Sequence, residues 1–369
     1  MRLALSICLA LATFTSAAEH DVWIGTKTGP DSPSRGVYHL TLDDAKGKLS
    51  PAKLVAEVEG PGWVTRHPSL SVLYTTRREE IVAWRIVRDE EGLRLEEINA
   101  EPTGDGGACH VSVDPTGRVL LSAQYGGGSV CSYRLNEDGA IAARVSHFEH
   151  EDPSNVVPGR QKACHPHWTG VSPDNRFVIA PDLGADRVYV HKLDAETGEL
   201  SRHGWGIAIP GGGPRHFKFH PTLPVGYLVN ELAMSLSVFD WNAERGELTL
   251  RQTIPTLSPE QIAGETFNSG SEVRVHPSGK FVYSANRGHD SITAFAVDPT
   301  TGELSLIEQE PIRGGWPRNF NLDPTGRWLL AAGHESNTLA VFAIDQETGM
   351  LQYTREVASV PAPICVHVE

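Results

Sequence analysis

The chain of 369 residues is poor in sulfur, in cations and in long apolar runs. It has 5 cysteines and 3 methionines, and no two cysteines form a C-x-x-C pair, which removes zinc-ribbon and thioredoxin-type chemistry. No apolar stretch reaches the roughly 18 to 20 residues of a membrane-crossing helix, so no membrane partner is expected. Lys and Arg number 32 against 46 Asp and Glu, a formal net charge of −14. That leaves no global basic surface for nucleic acid, and any anion site must be local. No serine stands in a G-x-S-x-G elbow, so a serine acyl-enzyme is not expected.

What is present is an ordinary globular composition, 40% hydrophobic and 21% charged, punctuated by 36 glycines and 25 prolines. Glycine and proline at this density, spread along the chain, mark frequent turns between short segments. The first residues place Arg2 before an apolar run from Leu3 to Phe14 and end in Ser16, Ala17 and Ala18. This pattern is that of a secretory signal peptide over residues 1–18, which implies export to a periplasmic or extracellular space. Residues 19–369 then form one domain, with Cys109, Cys131, Cys164 and Cys365 as buried thiols rather than a disulfide framework.

One unit recurs along the chain. Its turns align on Pro68, Pro115, Pro173, Pro221, Pro277 and Pro324, with steps of 47, 58, 48, 56 and 47 residues. A period near 50 is that of propeller blades. Each unit alternates short apolar, β-branched and aromatic runs with polar turns, which reads as antiparallel strands, four to a blade. The fourth strand is expected to end in D-x-x-T-G-E-L, as at Asp194 to Leu200 and Asp298 to Leu304. Six units are complete. Residues 21–50 lack an inner strand and Pro361 to Glu369 resemble one, so the seventh blade is expected to be closed by the two ends of the chain. The fold is therefore all-β, a seven-bladed β-propeller. A pair of β-sandwich domains would not require a steady period.

Two columns of the repeat vary in chemistry while their neighbours stay apolar. The residue six before each aligned proline reads Gly62, Cys109, His167, Arg215, Ser271, Arg318, and the residue ten after it reads Arg78, Tyr125, Leu183, Glu231, Arg287, His334. Pairing across the turn should place Arg215 opposite Glu231 and Ser271 opposite Arg287 at one open end. Such a ring of polar groups reads as a ligand site at one mouth of the channel, with an ordinary inter-strand ion pair between Arg215 and Glu231 as the structural alternative. His165 and His167 share a strand face and could be metal ligands. No third His or Cys matches their spacing, so neither a metal nor a cofactor is expected.

The motifs ACHPHWTGVSPDNRFVIAPDLGADRV, GGGPRHFKFHP with LVNEL, RVHPSGKFVYSANRGHDSI and WPRNFNLDPTGRWLLAA resemble those of the seven-bladed lactonase family. That family includes propeller-type 6-phosphogluconolactonases and the fungal carboxy-cis,cis-muconate cyclase. The resemblance covers nearly the whole chain after the leader. It implies catalytic roles for His167, Arg215, Glu231 and Arg287. Tyr125, His165, Asn230, Asn286, Arg318 and His334 are taken as substrate-binding, as are His110 and His216, for which a place in the core is the alternative.

Hydrolysis of a sugar δ-lactone needs a base for water and a positive group for the oxyanion. His167 or Glu231 is expected as the base and Arg215 as the oxyanion donor, with Arg287 and Arg318 holding a substrate phosphate or carboxylate. The expected partner is a small lactone or sugar acid, 6-phospho-D-glucono-1,5-lactone first, handled by a monomer. Lactonisation of a muconate-like diacid and a secreted binding module without turnover are the alternatives. An export leader departs from the cytosolic setting of a phosphorylated sugar.

Overall fold

The computed structural model describes residues 18–369; the expected leader over residues 1–18 lies outside the described part except for Ala18. Seven antiparallel sheets surround one axis. Six are consecutive four-stranded meanders whose innermost strands are Val64–Arg66, His110–Val113, Gly170–Val171, Pro214–Phe219, Ser269–Val275 and Pro317–Leu322. The seventh is the sheet shared by the two ends. Pro363–Val368 is its innermost strand and pairs antiparallel with Glu19–Thr26, joining Val22 to Val368 and Ile24 to Val366. Its outer edge runs past residue 50, through Lys48–Leu49 to Lys53–Glu57.

Burial explains the sequence of each strand. The second strands, such as Val119–Gln124 and Val225–Asn230, are buried at every position because sheets pack on both faces. Their sequences accordingly run apolar without alternation. The outermost strands, such as Ile141–Glu149, are mostly exposed and carry the charge. Aromatic side chains fill the wedge between blades, as Tyr283, Phe320 and Phe342 do in one cluster.

The repeated turns serve as latches. His67, His220 and His276, each just before an aligned proline, direct Nε2 at the carbonyl oxygens of Gly117, Gly279 and Gly326 in the following blade, at 3.0, 2.9 and 2.8 Å. Tyr74, Tyr227 and Tyr283 hydroxyls donate to Gly139, Gly302 and Gly349 in the same sense. Gly279 has φ of 74°, and a Cβ there would sit 2.6 Å from the His220 ring, so only glycine fits.

Three expectations require correction. The D-x-x-T-G-E-L segment precedes the fourth strand: Asp194 Oδ1 accepts from the backbone N–H groups of Glu196 and Thr197, and the strand runs Leu200–Ile207. Aspartate stops the third strand by offering its carboxylate to the turn. The cross-strand register is also shifted, because the inner strands Pro214–Phe219, Ser269–Val275 and Pro317–Leu322 bulge near the rim. Pro214 faces Asn230 and Phe217 faces Leu228, while Ser269, not Ser271, faces Arg287. The extra residue lets Arg215 and His216, although consecutive, both turn toward the axis. Among the cysteines, Cys131, Cys164 and Cys365 are buried and free, but Cys109 is partly exposed at the rim.

Candidate active site

One rim of the axis is formed where the innermost strands begin and the second strands end. Arg215 and Arg318 lie at the starts of Pro214–Phe219 and Pro317–Leu322, and His167 just before Gly170–Val171. Arg287 ends Phe281–Arg287, while Glu231 and Tyr125 follow the ends of Val225–Asn230 and Val119–Gln124. A cavity of about 380 Å³ opens there, its wall including Tyr125, His167, Glu231, Arg287 and Arg318. That volume lies within the range of small-molecule pockets, about 300–1,000 Å³.

Glu231 is the hub. Arg160 Nη2 donates to its Oε1 at 2.6 Å, while Arg215 Nε and Arg287 Nη2 lie 3.0 and 3.1 Å from its Oε2. Burial would raise the Glu231 carboxyl, but Arg287 and Arg215 outweigh it and hold the group well below the usual carboxylate range. A carboxylate so firmly ionised is a poor proton acceptor. The three ion pairs of Glu231 use Arg160, Arg215 and Arg287, and among the described residues no carboxylate pairs with Arg318.

His167 is neutral at physiological pH, since burial first and then the Arg215 charge push its pKa far down. Its Nδ1 lies 3.7 Å from Cys109 Sγ, and its ring meets Tyr125 edge-on at 5.3 Å. Burial pushes the Cys109 thiol up to about 11, which leaves it protonated and poorly suited as a nucleophile.

Arg215 is only 2% exposed and stands behind Glu231, outside the cavity wall. Its Nη1 donates to the Ser271 carbonyl and contacts His216 Nε2 at 3.1 Å. The expected oxyanion donor is thus a buried support for Glu231. Other expected substrate contacts also lie elsewhere. Asn230 and Asn286 are fully buried and point away from the mouth, each donating to two hydroxyls, Ser235 and Ser237 or Ser291 and Thr293. His110 packs between Trp63 and Trp168, and His216 is held by Glu272 at 3.0 Å. His165 stacks on Tyr125 with ring centroids 4.4 Å apart, supporting it from behind. His334 lines a neighbouring recess with Lys27 and Asn337.

Four wall residues were not anticipated as site residues: Cys109, Arg160, Phe267 and Ser269. Arg160 comes from the segment between the strands Ile141–Glu149 and Gly170–Val171, which Gln161 pins by donating to the Leu183 carbonyl and to Asp186 Oδ1. Phe267 comes from the segment between Glu247–Pro255 and Ser269–Val275 and stacks on Trp316 at 5.5 Å. The signal was in the spacing. The two steps of 58 and 56 residues, against 47 or 48 elsewhere, mark these two insertions. Ser269 Oγ is buried against the cavity with no protein partner, a hydroxyl free for a ligand.

Six four-stranded sheets and a seventh built from both ends of the chain surround an axis, with arginines and a neutral histidine at one mouth, and define a propeller with a candidate small-molecule site. The chain belongs to the family described as "Lactonase, 7-bladed beta-propeller", whose model matches residues 21–368. It is 35% identical over 348 residues, 93% of this chain and 97% of the relative, to the 6-phosphogluconolactonase of Bacillus subtilis. The 6-phosphogluconolactonase of Formosa agariphila is 31% identical over 305 residues, 79% of this chain and 83% of its own. The structure of the periplasmic gluconolactonase of Pseudomonas aeruginosa superposes with a TM-score of 0.85 at 29% identity, covering 95% of this chain and 99% of that one.

Proposed function

We propose that the protein is an exported hydrolase of sugar δ-lactones, with 6-phospho-D-glucono-1,5-lactone as its first-choice substrate and 6-phosphogluconate as the product. The observation that carries this reading is a neutral His167 facing a cavity whose wall holds Arg160, Arg287 and Arg318 against the single carboxylate of Glu231. His167 takes the proton from water as it attacks the lactone carbonyl. The carbonyl oxygen gains charge, and Arg287, on the wall, stabilises it. The ring oxygen leaves with a proton returned from His167. Glu231 does not act as the base; it aligns three guanidinium groups, with Arg215 supporting it from behind. Arg318, which pairs with no carboxylate among the described residues, binds the anionic end of the substrate. The names of the Bacillus and Formosa relatives favour a phosphorylated lactone. The Pseudomonas relative, a periplasmic gluconolactonase, together with the leader-like N-terminus, favours export.

The test is a substrate panel. Protein is supplied with 6-phosphogluconolactone, unphosphorylated gluconolactone and a muconolactone while acid release and ultraviolet absorbance are followed. Faster acid release from the sugar lactones than the spontaneous rate is expected. Turnover of the muconolactone alone would favour the lactonising alternative, and no rate with any of them would favour a binding module.

A further inference from the structure

At the opposite end of the axis the innermost strands enclose a second recess of about 270 Å³, separated from the active mouth by the buried His216 and Glu272. Its polar wall is Lys218, Arg274, Asn321 and Asp323. Lys218 and Arg274 occupy corresponding positions on the adjacent strands Pro214–Phe219 and Ser269–Val275. The acceptors nearby are already engaged. Asp323 accepts from the backbone N–H groups of Thr325 and Trp328 at 3.1 and 2.7 Å, and Asn321 bridges the Val366 carbonyl and its own neighbour Leu322.

The two cations are, by contrast, underused. Arg274 makes only long contacts, 3.3 Å to the Phe320 carbonyl and 3.4 Å to Glu272 Oε2. Lys218 Nζ rests over the Trp168 ring at 4.7 Å, and among the described residues no carboxylate forms an ion pair with it. Burial, and after it the Arg274 charge, pull the ammonium down to about 7. In a chain with a net charge of −14, the 3.4 Å pair of Arg274 with the buried Glu272 is the one carboxylate contact of these two neighbouring cations among the described residues, and their mutual repulsion is relieved when an anion joins them in the recess.

We propose that this recess is a second anion site, which holds a phosphate group, free or as a monoester, between Lys218 and Arg274. The guanidinium fork of Arg274 matches two phosphate oxygens, and the lysine supplies a point charge for a third. The recess is distinct from the lactone site, so its occupancy does not depend on turnover.

Calorimetric titration of the full chain with inorganic phosphate, with a sugar phosphate monoester and with acetate tests this. A phosphate-binding component is expected that Lys218→Met weakens about tenfold or more and Lys218→Arg retains. Arg274→Gln should weaken the same component, which guards against a Lys218→Met protein that does not fold. Arg318→Ala, at the other mouth, should leave it in place. Binding of inorganic phosphate alone would identify the free ion as ligand, and binding of the monoester as well would admit phosphorylated metabolites; both support the site. An isotherm unchanged by Lys218→Met and Arg274→Gln, or a component that takes acetate as tightly as phosphate, would overturn it. Lactone turnover measured on the same proteins separates this outcome from the fate of the hydrolase reading.

Discussion

Glu272 and His216, on neighbouring innermost strands, are joined by a 3.0 Å contact between Oε1 and Nδ1. The carboxylate fixes the proton of His216 on Nδ1, so its Nε2 is free to accept from Arg215 Nη1 at 3.1 Å. Arg215 in turn supports Glu231 at the mouth. A fully buried carboxylate that lines no part of the cavity thus sets the geometry of one that does. Glu272→Ala would strand His216, Asn319 and Arg274 together, and removing one member of a buried charged network costs about 3–5 kcal/mol. Urea unfolding should report a loss of that order, and kcat should fall more than KM rises.

His167→Asn removes the proposed base without adding bulk. Loss of a general base lowers turnover by about 10²-fold to 10⁴-fold. Steady-state kinetics should show this with the melting temperature little changed; a turnover equal to the parent's would remove His167 from the mechanism.

Arg318→Ala addresses the anion. A hydrogen bond to a charged group contributes about 1.5–3 kcal/mol, equivalent to roughly 10-fold to 100-fold. KM for the phosphorylated lactone should rise by that factor, and KM for unphosphorylated gluconolactone should hardly move. Equal effects on both substrates would show that Arg318 does not read the phosphate.

Acid sensitivity should begin early. Burial, ahead of neighbouring cations, pushes His191 and His367 down to about 3, and lowers His110, His167 and His216 far below their ordinary value. Below about pH 6.5 the unfolded chain binds protons that the folded chain refuses, so stability falls as the pH falls. Each such histidine contributes at most about 1.4 kcal/mol per pH unit in that window. Glu231, whose folded value is depressed, adds a further loss only as the pH drops through the ordinary carboxylate range near 4.5. Urea midpoints measured at pH 7.5, 6.5 and 5.5 should decline modestly over the first step and more steeply over the second.

Asn286→Ala should harm the fold and spare the chemistry. The substitution leaves the Ser291 and Thr293 hydroxyls without their donor in a dry environment. Unsatisfied buried groups cost about 1–3 kcal/mol. A lower melting temperature with kcat unchanged below the transition is the expected result.

The architecture was legible because it is repeated: a pattern recurring at fixed spacing averages out the ambiguity of any one short strand. The alternation of turn and apolar run marked the blades, and the split ends predicted the shared sheet in which Val22 pairs with Val368. The mouth was legible only in part. Tyr125, His167, Glu231, Arg287 and Arg318 were found because equivalent positions in a ring converge. Arg160 and Phe267 sit in segments that no other blade shares, so no column contained them. Asn230 and Asn286 were misassigned because they adjoin Glu231 and Arg287, and successive residues of a strand face opposite ways. The bulges at Arg215 and Ser271 shift the register by an amount that turn spacing does not reveal.

The sheet that joins Glu19–Thr26 to Pro363–Val368 also imposes an order in time. During synthesis the first strands emerge long before the strand they pair with, so six blades can form while the circle stays open. Only Pro363–Val368, made after all six, complete it. A product truncated before Pro363 leaves two unpaired strand edges facing each other across a gap, and the arginines of the mouth lose the frame that sets their spacing.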